Sequence, residues 1–142
     1  MIRFPPRRNP FSLGNTLKFK RLRIAVVDDE AHVRKALERL MRGVGFDVLT
    51  YAGGAEFLAA VADQTPECMV LDVHMPGLGG FDLHDALRAR GLRIPAVVIT
   101  GHDSDVVRDQ AIACGAFRYL RKPVDGPELV AAIEAAVAAA SS

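Results

Sequence analysis

From Arg23 onward the chain alternates two kinds of segment, short runs rich in β-branched residues and longer runs whose apolar residues recur every three or four positions. No other feature restricts the fold as tightly. Strands separated by helical crossovers pair in parallel, and a parallel sheet needs helices on both of its faces. RIAVVD (Arg23 to Asp28), FDVLTY (Phe46 to Tyr51), ECMVLD (Glu67 to Asp72), IPAVVIT (Ile94 to Thr100) and AFRYL (Ala116 to Leu120) read as the five strands. Between and after them run five helices. The first carries Val33, Ala36, Leu37, Leu40, Met41 and Val44 on one face and is stopped by Gly43 and Gly45; the second passes through Glu56, Phe57, Leu58 and Val61. The third passes through Phe81, Leu83 and Leu87 to Gly91, and the fourth runs from about Ser104 to Cys114 with Gly115 as its cap. The last opens at Asp125, has Pro127 in its first turn, and buries Leu129, Val130, Ile133 and Val137. The expectation is an α/β, doubly wound, five-stranded parallel sheet.

A length of 142 residues is that of one domain with one well-buried core. No apolar run approaches the roughly 20 residues that cross a bilayer, and no secretory signal opens the chain, so the expected location is the cytoplasm. Cys68 and Cys114 lie in apolar segments without metal-ligand spacing and read as core thiols. The net charge of +1 conceals an asymmetry. Residues 1–23 carry seven basic groups and no acid, which leaves eleven basic against seventeen acidic groups, a balance of −6, in the remainder. Residues 1–21, with three of the eight prolines and no apolar period, read as a basic, flexible extension, and residues 22–142 as the folded domain.

In an open parallel sheet the reactive groups gather at the carboxyl ends of the strands, where the strand order reverses. Reading those ends gives Asp28 and Asp29 after the first strand, Asp72 after the third, Thr100 after the fourth and Lys122 just past the fifth. Each alone is most simply a cap, a strand residue or a solvated charge. Together they make chemical sense. Three carboxylates in one crevice repel one another, and a hard divalent ion such as Mg²⁺ relieves that repulsion through oxygen ligands. One oxygen of Asp72 then remains to attack phosphorus and form an acyl phosphate, while Lys122 and Thr100 meet the charge on the phosphoryl oxygens.

VVDDE (Val26 to Glu30), LDVHMPG (Leu71 to Gly77), VITG (Val98 to Gly101) and YLRKP (Tyr119 to Pro123) occur in this order, and over about residues 22–140 the chain resembles the CheY-like receiver domain of bacterial two-component response regulators. That resemblance implies the flavodoxin-like (βα)5 fold with strand order 2-1-3-4-5, a topology for which CheY is itself a standard illustration. It also implies a role for each matching residue. Asp72 would be the phosphoacceptor, and Asp28, Asp29, Asp72 and the main-chain carbonyl of His74 would hold Mg²⁺ or Mn²⁺. Thr100 and Lys122 would bind the phosphoryl group, Thr100 and Tyr119 would form the switch, and the Lys122–Pro123 peptide would be cis. The implied partners are a sensor histidine kinase or phosphotransfer protein and, after phosphorylation, a second copy docked through the fourth helix, fifth strand and fifth helix. The domain would catalyse its own Mg²⁺-dependent phosphorylation and autodephosphorylation and would not be a metabolic enzyme.

Two rival readings compete. An aspartate-nucleophile phosphatase usually has a second acid two residues after the nucleophile, where this chain has His74. A receiver-like binding module that never takes phosphate leaves the full set of Asp28, Asp29, Asp72, Thr100 and Lys122 unexplained. VVDDE, LDVHMPG and ITGHDSD look most like the receivers of FixJ-type transcriptional regulators, yet no DNA-binding domain is legible after the last helix, which leaves a stand-alone receiver or a fragment of such a regulator. His32, His74, His84 and His102 are scattered over four segments and read as surface or loop histidines, with His74 and His102 flanking the proposed pocket. Gly79, Gly80 and Gly101 form no nucleotide-binding loop.

Overall fold

The computed structural model describes residues 21–141, so the basic extension expected over 1–21 lies, apart from Arg21, outside the described residues, as does Ser142. Strand and helix alternate throughout: β1 (Arg23–Val27), α1 (Ala31–Val44), β2 (Asp47–Tyr51), α2 (Gly54–Ala60), β3 (Cys68–Asp72), α3 (Gly80–Ala89), β4 (Ala96–Thr100), α4 (Asp105–Cys114), β5 (Arg118–Arg121) and α5 (Gly126–Ala140). The strands pair in parallel in the order β2-β1-β3-β4-β5. This is the expected flavodoxin-like topology. After β2 the chain crosses back over β1 to build β3 on its other side, so the winding direction reverses between β1 and β3.

The period of two along a strand divides the core into layers. Ile24, Val26, Val70, Val97 and Ile99 face one way and pack with Leu37 and Met41 of α1 and Leu129 and Ile133 of α5. Ala25, Val27, Met69, Leu71 and Ala96 face the other way, against Phe57 of α2 and Leu83 and Leu87 of α3. Every residue of β3 and β4 is buried, as central strands covered on both faces must be. Each large side chain so removed from water contributes about 1.5–3 kcal/mol. That burial holds the strand ends, and the groups they carry, in place.

Local chemistry sets most boundaries. The Ser104 hydroxyl accepts from the Val107 amide at 3.1 Å, and the Asp125 carboxylate accepts from the Glu128 amide at 2.9 Å, so both helices start capped. Gly45 (φ 109°) and Gly115 (φ 84°) close α1 and α4 in the left-handed conformation. Gly43, expected to help stop α1, lies inside it, because only Gly45 takes a positive φ. The buried stripe of α1 is also narrower than its spacing implies, centred on Leu37 and Met41: Ala36, at its flank, and Val44, in the last turn, are exposed. β4 starts two residues late because Pro95 has no amide to give the ladder, although its carbonyl still accepts from Met69 at 3.0 Å. β5 also starts late and runs on to Arg121, since the Ala116 amide is spent closing α4 on the Ala111 carbonyl.

Candidate functional site

Because the strands are parallel, their carboxyl ends share one edge, and the register aligns the groups there. Val27 pairs with Leu71, Asp72 with Ile99 and Thr100 with Arg121, which brings Asp28, Asp72, Thr100 and Lys122 together. Asp28, Asp72 and Thr100 are buried, whereas Asp29 is exposed. The ammonium of Lys122 lies 2.9 Å from Asp28 Oδ2, 2.8 Å from Glu30 Oε1 and 3.5 Å from Asp72 Oδ1. Glu30 is tied in twice, since its amide also donates to Asp28 Oδ1 at 2.9 Å. The Asp28 carbonyl accepts from Arg34 at 2.7 Å, which fastens the loop to the first turn of α1. The Lys122–Pro123 peptide is cis.

The electrostatics follow from this packing. Burial, reinforced by the charge of Asp28, pushes the Asp72 carboxyl up to about 7, and Lys122 only partly offsets the rise. Burial alone would lower the Lys122 ammonium, but its bonds to Glu30 and Asp28 more than reverse that, so it stays charged. The bond to Lys122 in turn holds Glu30 below the usual carboxylate range. One cation is thus shared among three acids.

The donor set fits a hard divalent ion. Asp28, Asp29 and Asp72 each offer an oxygen, and the three lie within 4.8 Å of one another. Opposite oxygens around octahedral Mg²⁺, each at about 2.1 Å, stand about 4.2 Å apart, so small side-chain adjustments close the set around one ion. Such an ion would add positive charge beside a carboxyl that burial and the Asp28 charge both push toward its protonated form.

Beyond Asp72 the chain turns at Gly77 (φ 76°) and returns directly behind the strand. A β-carbon on Gly80 would stand 2.5 Å from the Asp72 carbonyl oxygen, and one on Gly79 would stand 3.0 Å from that of Val73. The two glycines therefore serve close packing against the strand that carries Asp72.

Thr100 closes the other side. Its hydroxyl accepts from the His102 amide at 2.9 Å and lies 3.4 Å from His74 Nδ1, while the two imidazoles meet edge to face at 5.1 Å. Tyr119 is half-buried, with its ring beside Val73, Val98 and Val107. Its hydroxyl donates to Asp103 at 2.7 Å, and Arg108 bonds both oxygens of the same carboxylate at 3.0 Å. A cleft of about 520 Å³ runs from Thr100 and Lys122 to Asp103, Arg108 and Tyr119.

All five groups read from the strand ends therefore meet at one edge. Glu30 and Asp103 were given no role in the sequence reading. Glu30 lies inside the VVDDE motif and could have been found there, whereas nothing local marks Asp103 as the partner of a tyrosine 16 residues on. The histidines divide. His32, His74 and His102 are exposed as expected, but His84 is buried within α3, and its Nδ1 has no hydrogen-bond partner among the described residues. A position on the buried face of α3, shared with Leu83 and Leu87, overrides the polarity of the side chain. Cys68 and Cys114 are free thiols.

Fold and crevice together define a doubly wound α/β domain whose charged groups converge at the switch point. Residues 24–134 match the response regulator receiver domain, and the chain belongs to that family. It is 38% identical over 112 residues to the DNA-binding transcriptional regulator NtrC of Escherichia coli K12, covering 79% of this chain and 24% of NtrC. With the transcriptional regulatory protein FixJ of Azorhizobium caulinodans it shares 35% identity over 116 residues, covering 82% of this chain and 55% of FixJ. Among solved structures, FixJ-N superposes with a TM-score of 0.78 at 32% identity, covering 84% of this chain and 95% of that one. The chain thus spans about a quarter to a half of the length of these curated relatives. No helix among the described residues is long and apolar enough to cross a membrane.

Proposed function

We propose that this receiver takes a phosphoryl group from a histidine of a sensor kinase or phosphotransfer protein onto Asp72, and relays the event by changing the face formed by α4, β5 and α5. The observation that carries this reading is the placement of Lys122, whose ammonium lies within 3.5 Å of both Asp28 and Asp72 beside a three-carboxylate cluster.

An oxygen of Asp72 attacks phosphorus, the bond from phosphorus to the donor imidazole nitrogen breaks, and the electron pair leaves with that nitrogen. Burial of Asp72 strips water from the nucleophile. Lys122, already drawn to this edge, moves from its carboxylates to a phosphoryl oxygen. Asp28, Asp29, Asp72 and the His74 carbonyl would hold Mg²⁺ (or Mn²⁺), which would offset charge on the remaining phosphoryl oxygens. Hydrolysis by water reverses the state. Once phosphate is present, the Thr100 hydroxyl exchanges its His102 amide contact for a phosphoryl oxygen. The space it leaves lets Tyr119 give up Asp103 and turn inward, a population shift along the cleft that joins the two sites. The changed face then docks a partner or a second copy of the chain.

The decisive test is intact-mass measurement after incubation with acetyl phosphate and Mg²⁺. One phosphoryl group should appear on the wild-type chain and none on Asp72→Ala; equal labelling of both, or labelling of neither, refutes the assignment.

A further inference from the structure

We propose that a groove at the opposite, amino-terminal edge of the sheet binds a small amphipathic carboxylate. The groove has a volume of about 550 Å³ and runs from α3, beneath the chain segments that enter β4 and β5, to the last turn of α5. That size lies within the range of pockets that hold small organic ligands. Its floor is apolar, with Met69, Leu87, Leu92, Ile94 and Phe117 among its lining residues.

Its polar groups are all of one kind. Arg88, Arg93 and the His84 imidazole line it, and among the described residues no aspartate or glutamate does. Arg88 spends one nitrogen on the Cys114 carbonyl at 3.1 Å, which fixes its guanidinium at the wall. His84 lines the groove while only 6% exposed, and its Nδ1 has no hydrogen-bond partner among the described residues, an arrangement that costs stability. An apolar floor beneath two guanidinium groups is complementary to a hydrocarbon body ending in a carboxylate, which arginine recognises through paired N–H donors. None of these residues belongs to the Asp72 pocket, so the proposal stands apart from the phosphoryl-transfer reading.

The test is an NMR titration of the full chain with decanoate at neutral pH, without Mg²⁺ or phosphodonor. Saturable shifts confined to α3, residues 92–95, residues 115–117 and the end of α5 are expected. Shortening the probe to octanoate should weaken binding about two- to fourfold per methylene removed, as burial of the chain requires. Decanol should bind at least about tenfold more weakly than decanoate, and so should decanoate to Arg93→Glu, because each loses one charge-assisted contact. Ala139→Leu, an exposed change at the rim, should weaken binding by filling the groove. Absence of saturable shifts, shifts centred elsewhere, or equal binding by Arg93→Glu would overturn the proposal.

Discussion

Two clusters of acid and base sit at the same edge of the sheet, one inside and one on the surface, and burial sets them to different work. In the inner cluster Asp28 and Asp72 are buried and share the Lys122 ammonium with Glu30. In the outer one Asp103, itself held below the usual carboxylate range by the Tyr119 hydroxyl and then by Arg108, faces solvent, with Arg121 3.7 Å away. Charges taken out of water cost much, and the loss of one partner leaves the others uncompensated. Charges at the surface are screened, so the same kind of pair there orients a side chain without holding up the fold. The inner cluster stores free energy that chemistry can draw on. The outer one sets the position of a single ring.

The largest expected effect comes from breaking the inner cluster. Lys122→Ala leaves Asp28 and Asp72 facing each other without their cation and should lower unfolding stability by about 3–5 kcal/mol at pH 8 in EDTA, read from urea denaturation. At pH 4, where the carboxyls can protonate, the loss should shrink. A loss independent of pH would mean that Lys122 matters for packing and not for charge.

Asp72→Asn acts in the opposite direction. A carboxyl whose folded pKa is raised to about 7 binds its proton in the folded chain after the unfolded chain has lost it. It is therefore neutral in its effect below the unfolded value of about 3.9, and stability falls as pH rises from there to about 7. Removing it should stabilise the protein by roughly 3–4 kcal/mol at pH 8 in EDTA, with the gain vanishing toward pH 4. Added Mg²⁺ should narrow the difference by stabilising the wild type more than the variant, which keeps Asp28 and Asp29 but lacks the third carboxylate. Urea denaturation at pH 4 and pH 8, with and without Mg²⁺, checks each step.

Asp103→Ala should be the mildest of the three in stability, with a melting temperature close to wild type, because the pair it breaks is exposed. Its effect belongs to the switch. With its hydrogen bond gone, Tyr119 should populate the inward position before phosphorylation, visible as a shift of its ring resonances toward those of the phosphorylated protein. An unmoved ring would show that the contacts of Tyr119 with Val98 and Val107 hold it, and not Asp103.

Most of the framework was legible because it depends on neighbours in the chain. Continuous apolar runs along β1 and β3, helix spacing through Leu37 and Met41, and the caps at Ser104, Asp125 and Gly115 are local patterns, and each appears where its chemistry puts it. Errors fell where a local signal has a competitor. Gly43 carries a stop signal that Gly45 meets better, and His84 is polar on the buried face of α3.

The amino-acid sequence by itself determined the order of strands and helices, and the fact that Asp28, Asp72, Thr100 and Lys122 stand at the ends of four of the five strands. Only the tertiary structure decided which of these meet and how strongly. Lys122 reaches Glu30 across 92 residues, and Tyr119 on β5 reaches Asp103 in the segment between β4 and α4. Such contacts depend on strand order and register, which no short stretch encodes. The elevation of Asp72 likewise depends on how much water the whole fold excludes from one carboxyl group.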